Sequence, residues 1–359
     1  MTTRPPIWRL ALLILLGLGT LELCARLDDW VMESASFWRN YNHASLYFFD
    51  SLGMRGKPFG RYAKWRLNSA GYRGPEMRPG TFRIACIGSS ETFGLYEDPG
   101  KEWPRQLEQV LSERLGNGRF EVVNTSYPGM AITTARRRLD GMIAAVHPRV
   151  AIIYPSVAPY IFEGVAFPSG DPAPPPPEPF EFRLAARVET IAKQILPDLI
   201  QHRFREWQLR RAIAWAPHPM DRIPQSHVDK FRSHLDDLVL DLRGRGVEPV
   251  LVTHATRFGG HVSPSERRLL GYWRRFYPQL REDGFLDMEQ RLNDALRGVA
   301  AARGMRLVDA AQKVPPGPRY FAEFVHFTNE GAHALASLIA DAITCLETQP
   351  PSCLAAAKP

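Results

Sequence analysis

Five short, continuously apolar runs recur along the chain: Ile84–Ile87, Val122–Val123, Val150–Ile153, Val250–Thr253 and Leu307–Val308. A strand that is apolar at consecutive positions is buried on both faces, as a parallel strand between two helix layers is. Amphipathic stretches separate the runs. Leu107, Val110, Leu111 and Leu115 share one helical face, as do Phe231, Leu235, Leu238, Val239 and Leu242, with Gly246 as a stop signal. Leu335, Ile339, Ala342 and Leu346 mark a last helix. The alternation predicts an α/β fold, a three-layer α/β/α sandwich around a roughly five-stranded parallel sheet. Ligands bind such sheets where strands end at their carboxyl edge, so residues just after strands carry the most interest.

Composition narrows the classes. With 45% apolar and 23% charged residues in 359, the chain has ample core-forming material, which excludes disorder and fibrous repeats. The net charge of +7 is spread along the chain rather than gathered in a block, so nucleic acid is not an expected partner. Cys24, Cys86, Cys345 and Cys353 show no metal-ligand spacing and no dense disulfide framework, so no metal is expected. Cys86, within the first run, reads as a buried apolar residue; Cys345 and Cys353 read as a pair or as two free thiols.

Arg4 and Arg9 precede an apolar run from Leu10 to Leu21, and Asp28 and Asp29 follow it. The run alone, about 18 Å as a helix, is shorter than a hydrocarbon core of about 30 Å. Extended over Ile7–Leu27, with Trp8 and Trp30 as interfacial anchors, it is long enough. No small-x-small cleavage site follows, and Leu23 before Cys24 is too bulky for a lipoprotein signal. An uncleaved anchor is therefore favoured over a cleaved signal peptide, and both over a buried core helix. The charge asymmetry places the bulk of the chain outside the cytoplasm. This divides the chain into a signal-anchor segment (1–30), an N-terminal extension without strand–helix rhythm (31–80), the main domain (81–347) and a tail (348–359). Within the main domain, 161–227 reads as an insertion, with an extended loop around Pro174–Pro177 and a helical, arginine-rich stretch from Arg183 to Trp215. That stretch is a solvated face, a cap over the site or a contact with anionic lipid or polysaccharide. Arg136–Arg138 read as an exposed helix face, with anion binding as the lesser alternative.

The first strand runs into Gly88-Ser89-Ser90-Glu91-Thr92-Phe93-Gly94. A serine on a glycine-led turn after a strand projects its hydroxyl from the strand end, where backbone N–H groups can face an oxyanion. Such turns are also common without any chemistry. A phosphate-binding loop would need Gly-Lys-Ser/Thr, which is absent. Near the other end, Tyr320-Phe321-Ala322-Glu323-Phe324-Val325-His326-Phe327 precedes the last helix. Glu323 and His326 are spaced to share one face, so the carboxylate can hold one imidazole nitrogen while the other faces a substrate. His202, His234 and His333 sit in helical patterns and read as ordinary surface positions.

Together these two ends resemble the SGNH, or GDSL-type, hydrolases, in particular membrane-anchored, extracytoplasmic members. Leu67-Asn68-Ser69-Ala70-Gly71-Tyr72-Arg73-Gly74 is similar to the lead-in of many such members, and Asn124-Thr125-Ser126-Tyr127-Pro128-Gly129 to the family's second block. The resemblance covers roughly residues 65 to 347. It implies a flavodoxin-like sheet, Ser90 as nucleophile, His326 as general base and Glu323 as the residue orienting it. The N–H groups of Ser90 and Gly129 become oxyanion donors, with Ser156 as a candidate third. The chain departs from the family pattern at three places. Ser89 and Glu323 stand where aspartate is usual, and Tyr154-Pro155-Ser156-Val157-Ala158-Pro159-Tyr160 lacks the usual asparagine donor. Asp309, at a strand end, is a less favoured substitute for Glu323.

What the resemblance implies is a serine ester hydrolase needing no cofactor, anchored in the inner membrane with its domain in the periplasm. Its expected substrate is an O-acyl ester on a polysaccharide or glycan, with a lipid or small ester as the open alternative. Transfer of the acyl group to a sugar by the same triad is a variant. The competing expectation is a catalytically impaired module of the same fold that binds glycan or supports polysaccharide assembly. No protein partner is indicated.

Overall fold

The computed structural model describes residues 7–161, 180–195, 198–214, 218–259 and 262–348. Helix α1 (Ile7–Glu33) has 27 residues, about 40 Å at 1.5 Å per residue, and its large apolar side chains from Ile7 to Leu21 are exposed rather than packed in a core. By length and composition it can cross a membrane, as an anchor or a signal sequence does. The extension that follows holds two antiparallel hairpins. Strand β1 (Tyr47–Asp50) pairs with β2 (Gly53–Gly56), and β3 (Arg61–Tyr62) with β4 (Trp65–Arg66).

The five apolar runs mark one parallel sheet. Its strands are β5 (Phe82–Gly88), β6 (Phe120–Asn124), β7 (Val150–Tyr154), β8 (Glu248–Val252) and β9 (Arg306–Val308). They lie in the order β6-β5-β7-β8-β9, the flavodoxin-like doubly wound order. Thr253 alone falls outside its expected strand, just past β8. Alternate residues face opposite layers. Ile84, Cys86, Ile152, Val250 and Val252 pack with α3 (Trp103–Leu115) and α12 (Asn329–Thr348). Ala85, Ile87, Ile153 and Leu251 pack with α4 (Ile132–Arg137), α5 (Leu139–Val146), α8 (Gln225–Gly244) and α10 (Glu282–Ala302). Both faces are buried, which is why the runs are apolar without alternation. Truncating a fully buried side chain such as Leu251 to alanine would cost about 2–5 kcal/mol.

Short helices α2 (Ser90–Phe93), α9 (Pro264–Gly271) and α11 (Ala310–Lys313) join these layers. Helices α6 (Arg183–Ile195) and α7 (Asp198–Ala214) occupy the arginine-rich stretch. The polyproline segment and the Cys345–Cys353 pairing lie outside the described residues, while Cys86 is buried as expected. One expectation is corrected. Arg138 is not part of an exposed face: it is largely buried and donates to Gly53 O at 2.6 Å and Met54 O at 2.8 Å and to Asp50, clamping the first hairpin onto the domain. Arg136 remains on the surface and pairs with Asp237 and Asp241.

Candidate active site

Strand β5 has β6 on one side and β7 on the other, so its carboxyl end is the topological switch point where a doubly wound sheet opens a crevice. Gly88 ends the strand beside β7. A Cβ there would meet Thr92 Oγ1 at 2.1 Å and Tyr154 O at 2.7 Å, so only glycine allows the turn. Ser89 caps α2 and is buried, and Ser90 is the first residue of that helix. Its N–H has no acceptor within the helix, as at any helix start.

The extension fixes the far end of α2. Arg73 is buried and donates to the carbonyls of Phe93 and Gly94, while its other guanidinium nitrogen reaches Glu102 Oε2 at 3.2 Å. Trp65 Nε1 donates to Gly94 O at 3.2 Å. From the sheet side, Asn124 Nδ2 donates to Thr92 O at 2.8 Å. The segment similar to the family's lead-in thus acts as a brace for the turn that carries Ser90.

His326 and Glu323 sit on a tight turn closed by Ala322 N–H donating to His326 O at 2.9 Å and Thr328 N–H to Tyr320 O at 3.0 Å. Phe324 and Val325 between them are buried and anchor the turn. His326 Nδ1 is hydrogen-bonded to Glu323 Oε1, which also accepts the His326 backbone N–H at 3.3 Å. The Nε2 atom is buried and has no hydrogen-bond partner among the described residues. The turn is tied to the loop after α2: Asp98 N–H donates to Asn329 Oδ1 at 2.9 Å and Asn329 Nδ2 to Asp98 Oδ2 at 2.7 Å. The Tyr96 ring lies 5.3 Å from that of His326. Burial works against the charged imidazole, but the Glu323 hydrogen bond and the charges of Glu91, Glu323 and Glu97 raise its pKa above 6.5. Burial likewise pushes Glu97 up to about 7.

Ser90 Oγ does not bond to His326 in this arrangement. It donates to Glu91 Oε2 at 3.2 Å, and Glu91 opens a buried chain that no sequence motif marks. Glu91 Oε1 lies 3.4 Å from His254 Nε2, and His254 Nδ1 lies 2.8 Å from Glu289 Oε2. Asn293, one turn along α10 from Glu289, holds the His254 backbone, accepting its N–H at 2.7 Å and donating to its carbonyl at 2.9 Å. Burial opposes the charge on His254, yet the flanking Glu289 and Glu91 hold its pKa up at about 10. Burial also opposes charge on Glu91, and His254 nevertheless brings its carboxyl down to about 2. The flanking acids thus favour the imidazolium form of His254, directly behind the serine turn, while burial pushes the Glu289 carboxyl itself up. Its one sequence signal was position, two residues past the carboxyl end of β8. Glu289 looked like any charged helix residue.

The other expected positions are distributed as follows. Gly129 N–H, assigned to an oxyanion by resemblance, is engaged: it donates to Ser89 Oγ at 3.0 Å. With serine where aspartate is usual, a neutral hydroxyl takes this bond. Ser156 lies two residues beyond Tyr154, as Ser90 lies two beyond its register partner Gly88. It is buried. Asp309 is committed elsewhere, accepting from Arg297 at 2.9 and 3.0 Å and from Thr253 Oγ1 at 2.9 Å. Of the surface histidines, His333 is exposed and meets Gln106 Oε1 at 3.0 Å, whereas His234 is half-buried against the Tyr160 hydroxyl at 3.0 Å.

The fold and site define a doubly wound α/β protein with a serine turn and a Glu–His turn tied together at one sheet edge. No protein-family profile and no curated protein matches the chain. Among solved structures it is similar to a putative lipolytic protein of the G-D-S-L family from Desulfitobacterium hafniense, at 13% identity and TM-score 0.41, over 73% of this chain and 99% of that one. It is also similar to the lipase/acylhydrolase from Enterococcus faecalis, at 15% identity and TM-score 0.41, over 73% and 94%. A third is a catalytic mutant of an acetylxylan esterase from Geobacillus stearothermophilus, at 14% identity and TM-score 0.42, over 74% and 96%.

Proposed function

We propose that this chain is an SGNH-type serine ester hydrolase with Ser90 as nucleophile, His326 as general base and Glu323 as its orienting acid. The observation that carries the reading is the Glu323–His326 pair, whose Nε2 is unpartnered on a turn bound to the loop that follows Ser90. With Nδ1–H held by Glu323, neutral His326 offers its Nε2 lone pair to a hydroxyl. The Ser90 hydroxyl turns from Glu91 to that nitrogen. Its oxygen then attacks an ester carbonyl while the proton passes to Nε2. The tetrahedral oxyanion faces the Ser90 N–H, and His326 returns the proton to the departing alkoxide, leaving an acyl-enzyme. Water, or a sugar hydroxyl in the transfer variant, releases the acyl group by the reverse sequence. The block after β7 supplies no asparagine, and loss of one oxyanion donor slows such chemistry by about 10²–10³ without abolishing it.

Arg4 before α1 and Arg9 in its first turn, both ahead of the apolar run, favour an anchor with the domain outside the cytoplasm, in the periplasm. An O-acylated polysaccharide or glycan is the substrate that suits that placement. Two observations favour a second reading, a binding module of the same fold: the Ser90 hydroxyl rests on Glu91, and the Gly129 N–H rests on Ser89. A fluorophosphonate serine probe applied to the full chain in detergent separates the two. Labelling that is lost in both Ser90→Ala and His326→Ala supports the hydrolase. Folded wild type that stays unlabelled removes the triad and leaves the binding module.

A further inference from the structure

Helices α6 and α7 each carry an exposed apolar stripe that no other described residue covers. On α6, Val188, Ile191 and Ile195 follow one helical stripe, and on α7 so do Ile200, Phe204 and Trp207; all six are between 50% and 75% exposed. Large apolar side chains lined up on an exposed helix face mark a contact surface. Helix α7 has a second apolar side, where Leu209 and Ile213 are half-buried, and α7 packs against the turn Tyr272–Arg275, with Arg275 donating to Gln208 Oε1 at 3.1 Å. The Phe204–Trp207 stripe is therefore not needed for the core. Its rings stack at 5.7 Å, and the Arg211 guanidinium lies 5.6 Å from the Trp207 ring.

What covers the patch follows from where α6 starts. The backbone N–H groups of Arg183 and Leu184 donate to the Glu22 carboxylate at 3.2 and 2.9 Å. Arg183 reaches Asp29 and the carbonyls of Arg26, Ser36 and Arg39, and Arg187 reaches Asp28 and Asp29. Glu22 lies 11 residues before the end of α1, about 16 Å toward the membrane side. The start of α6 is thus fixed at the level where the apolar part of α1 gives way to charge, the headgroup level of a helix that spans. Exposed Arg203, Arg210 and Arg211 border the α7 stripe, the pattern of an apolar face below headgroups with cations among them.

We propose that α6 and α7 lie in the lipid interface beside α1, their Val188–Ile195 and Ile200–Trp207 stripes inserted at the acyl boundary and the arginines on anionic phospholipid headgroups. This rests on the proposed placement of α1 as a membrane anchor. One consequence concerns the site. The turn under α7 carries Trp273, whose ring lies 5.6 Å from Phe324 on the His326 turn, so the catalytic edge is held close to the bilayer surface and is suited to esters presented there.

The test uses the full chain in vesicles of phosphatidylcholine and phosphatidylglycerol, with and without bromine on the acyl chains. The emission of one tryptophan is the difference between wild type and its phenylalanine variant. The Trp207 signal, from Trp207→Phe, is expected to fall at least about two-fold in brominated vesicles, and so is that of Trp8. The signal of buried Trp103 should not change. Phe204→Glu, at an exposed position, should weaken the Trp207 quenching. Quenching of Trp8 with none of Trp207 overturns the inference and leaves the anchor intact. If neither is quenched, the anchor itself is wrong and the inference falls with it. An unquenched Trp207 protected instead by a second copy, seen as a dimer by mass, would also refute lipid as the occupant.

Discussion

Replacing His254 by phenylalanine tests the buried chain behind Ser90 directly. The ring keeps its approximate shape but loses its charge, leaving Glu91 and Glu289, both fully enclosed, without a cation between them. A pKa raised from 6.5 to about 10 corresponds to roughly 5 kcal/mol, at ~1.4 kcal/mol per pH unit. Breaking a buried ion pair from one side costs about 3–5 kcal/mol by an independent route. The two agree, and the midpoint of thermal unfolding should fall by about 6–10 °C. The sign with pH is fixed. Because the folded-state pKa is raised, the stabilisation is complete below about 6.5 and disappears as pH rises through about 10. Wild type and His254→Phe should therefore differ most near pH 6 and converge toward pH 10 in urea titrations followed by circular dichroism. Replacing the whole set, Glu91→Leu, His254→Phe and Glu289→Leu, should recover most of the loss, since a well-packed apolar set avoids burying charge. A single variant within about 0.5 kcal/mol of wild type at pH 6 would refute the imidazolium assignment.

Glu323→Gln removes the partner that most raises His326, so the rising limb of the pH profile for probe labelling should move to lower pH, while the plateau rate drops roughly 10²–10⁴-fold; an unchanged limb would disconnect His326 from the base role. In wild type that limb should lie above pH 6.5, because only the neutral ring accepts the serine proton. Arg73→Met leaves Glu102 and the carbonyls of Phe93 and Gly94 without their guanidinium, an expected loss of about 3–5 kcal/mol read from the urea midpoint, accompanied by slower labelling of Ser90. Gly88→Ala forces a Cβ against Tyr154 O and Thr92 and should abolish labelling even in protein that retains its circular dichroism; full labelling would show that the turn tolerates a side chain.

The sheet was legible because burial on both faces leaves short apolar runs without alternation at each strand, and their length and the amphipathic stretches between them set them apart from buried helices. The spacing of Glu323 and His326 was legible for a similar reason, since three residues on a tight turn bring two side chains to one face whatever lies around them. The β3–β4 hairpin of the extension was not, because its strands have only two residues each and are held by Trp65 and Arg73 reaching α2 rather than by their own pattern. Nor was the role of Arg138, whose acceptors lie more than eighty residues earlier in the chain. The sequence by itself determined the layers, the strand that carries Ser90 and the turn that carries Glu323 and His326, all consequences of periodicity and spacing along the backbone. Only the tertiary structure decided that Ser90 rests on Glu91, that Gly129 is held by Ser89, and that His254 lies between Glu91 and Glu289, which raise its pKa. Those outcomes depend on burial and on charges brought together from distant segments, and a group's charge state follows its surroundings rather than its neighbours in sequence.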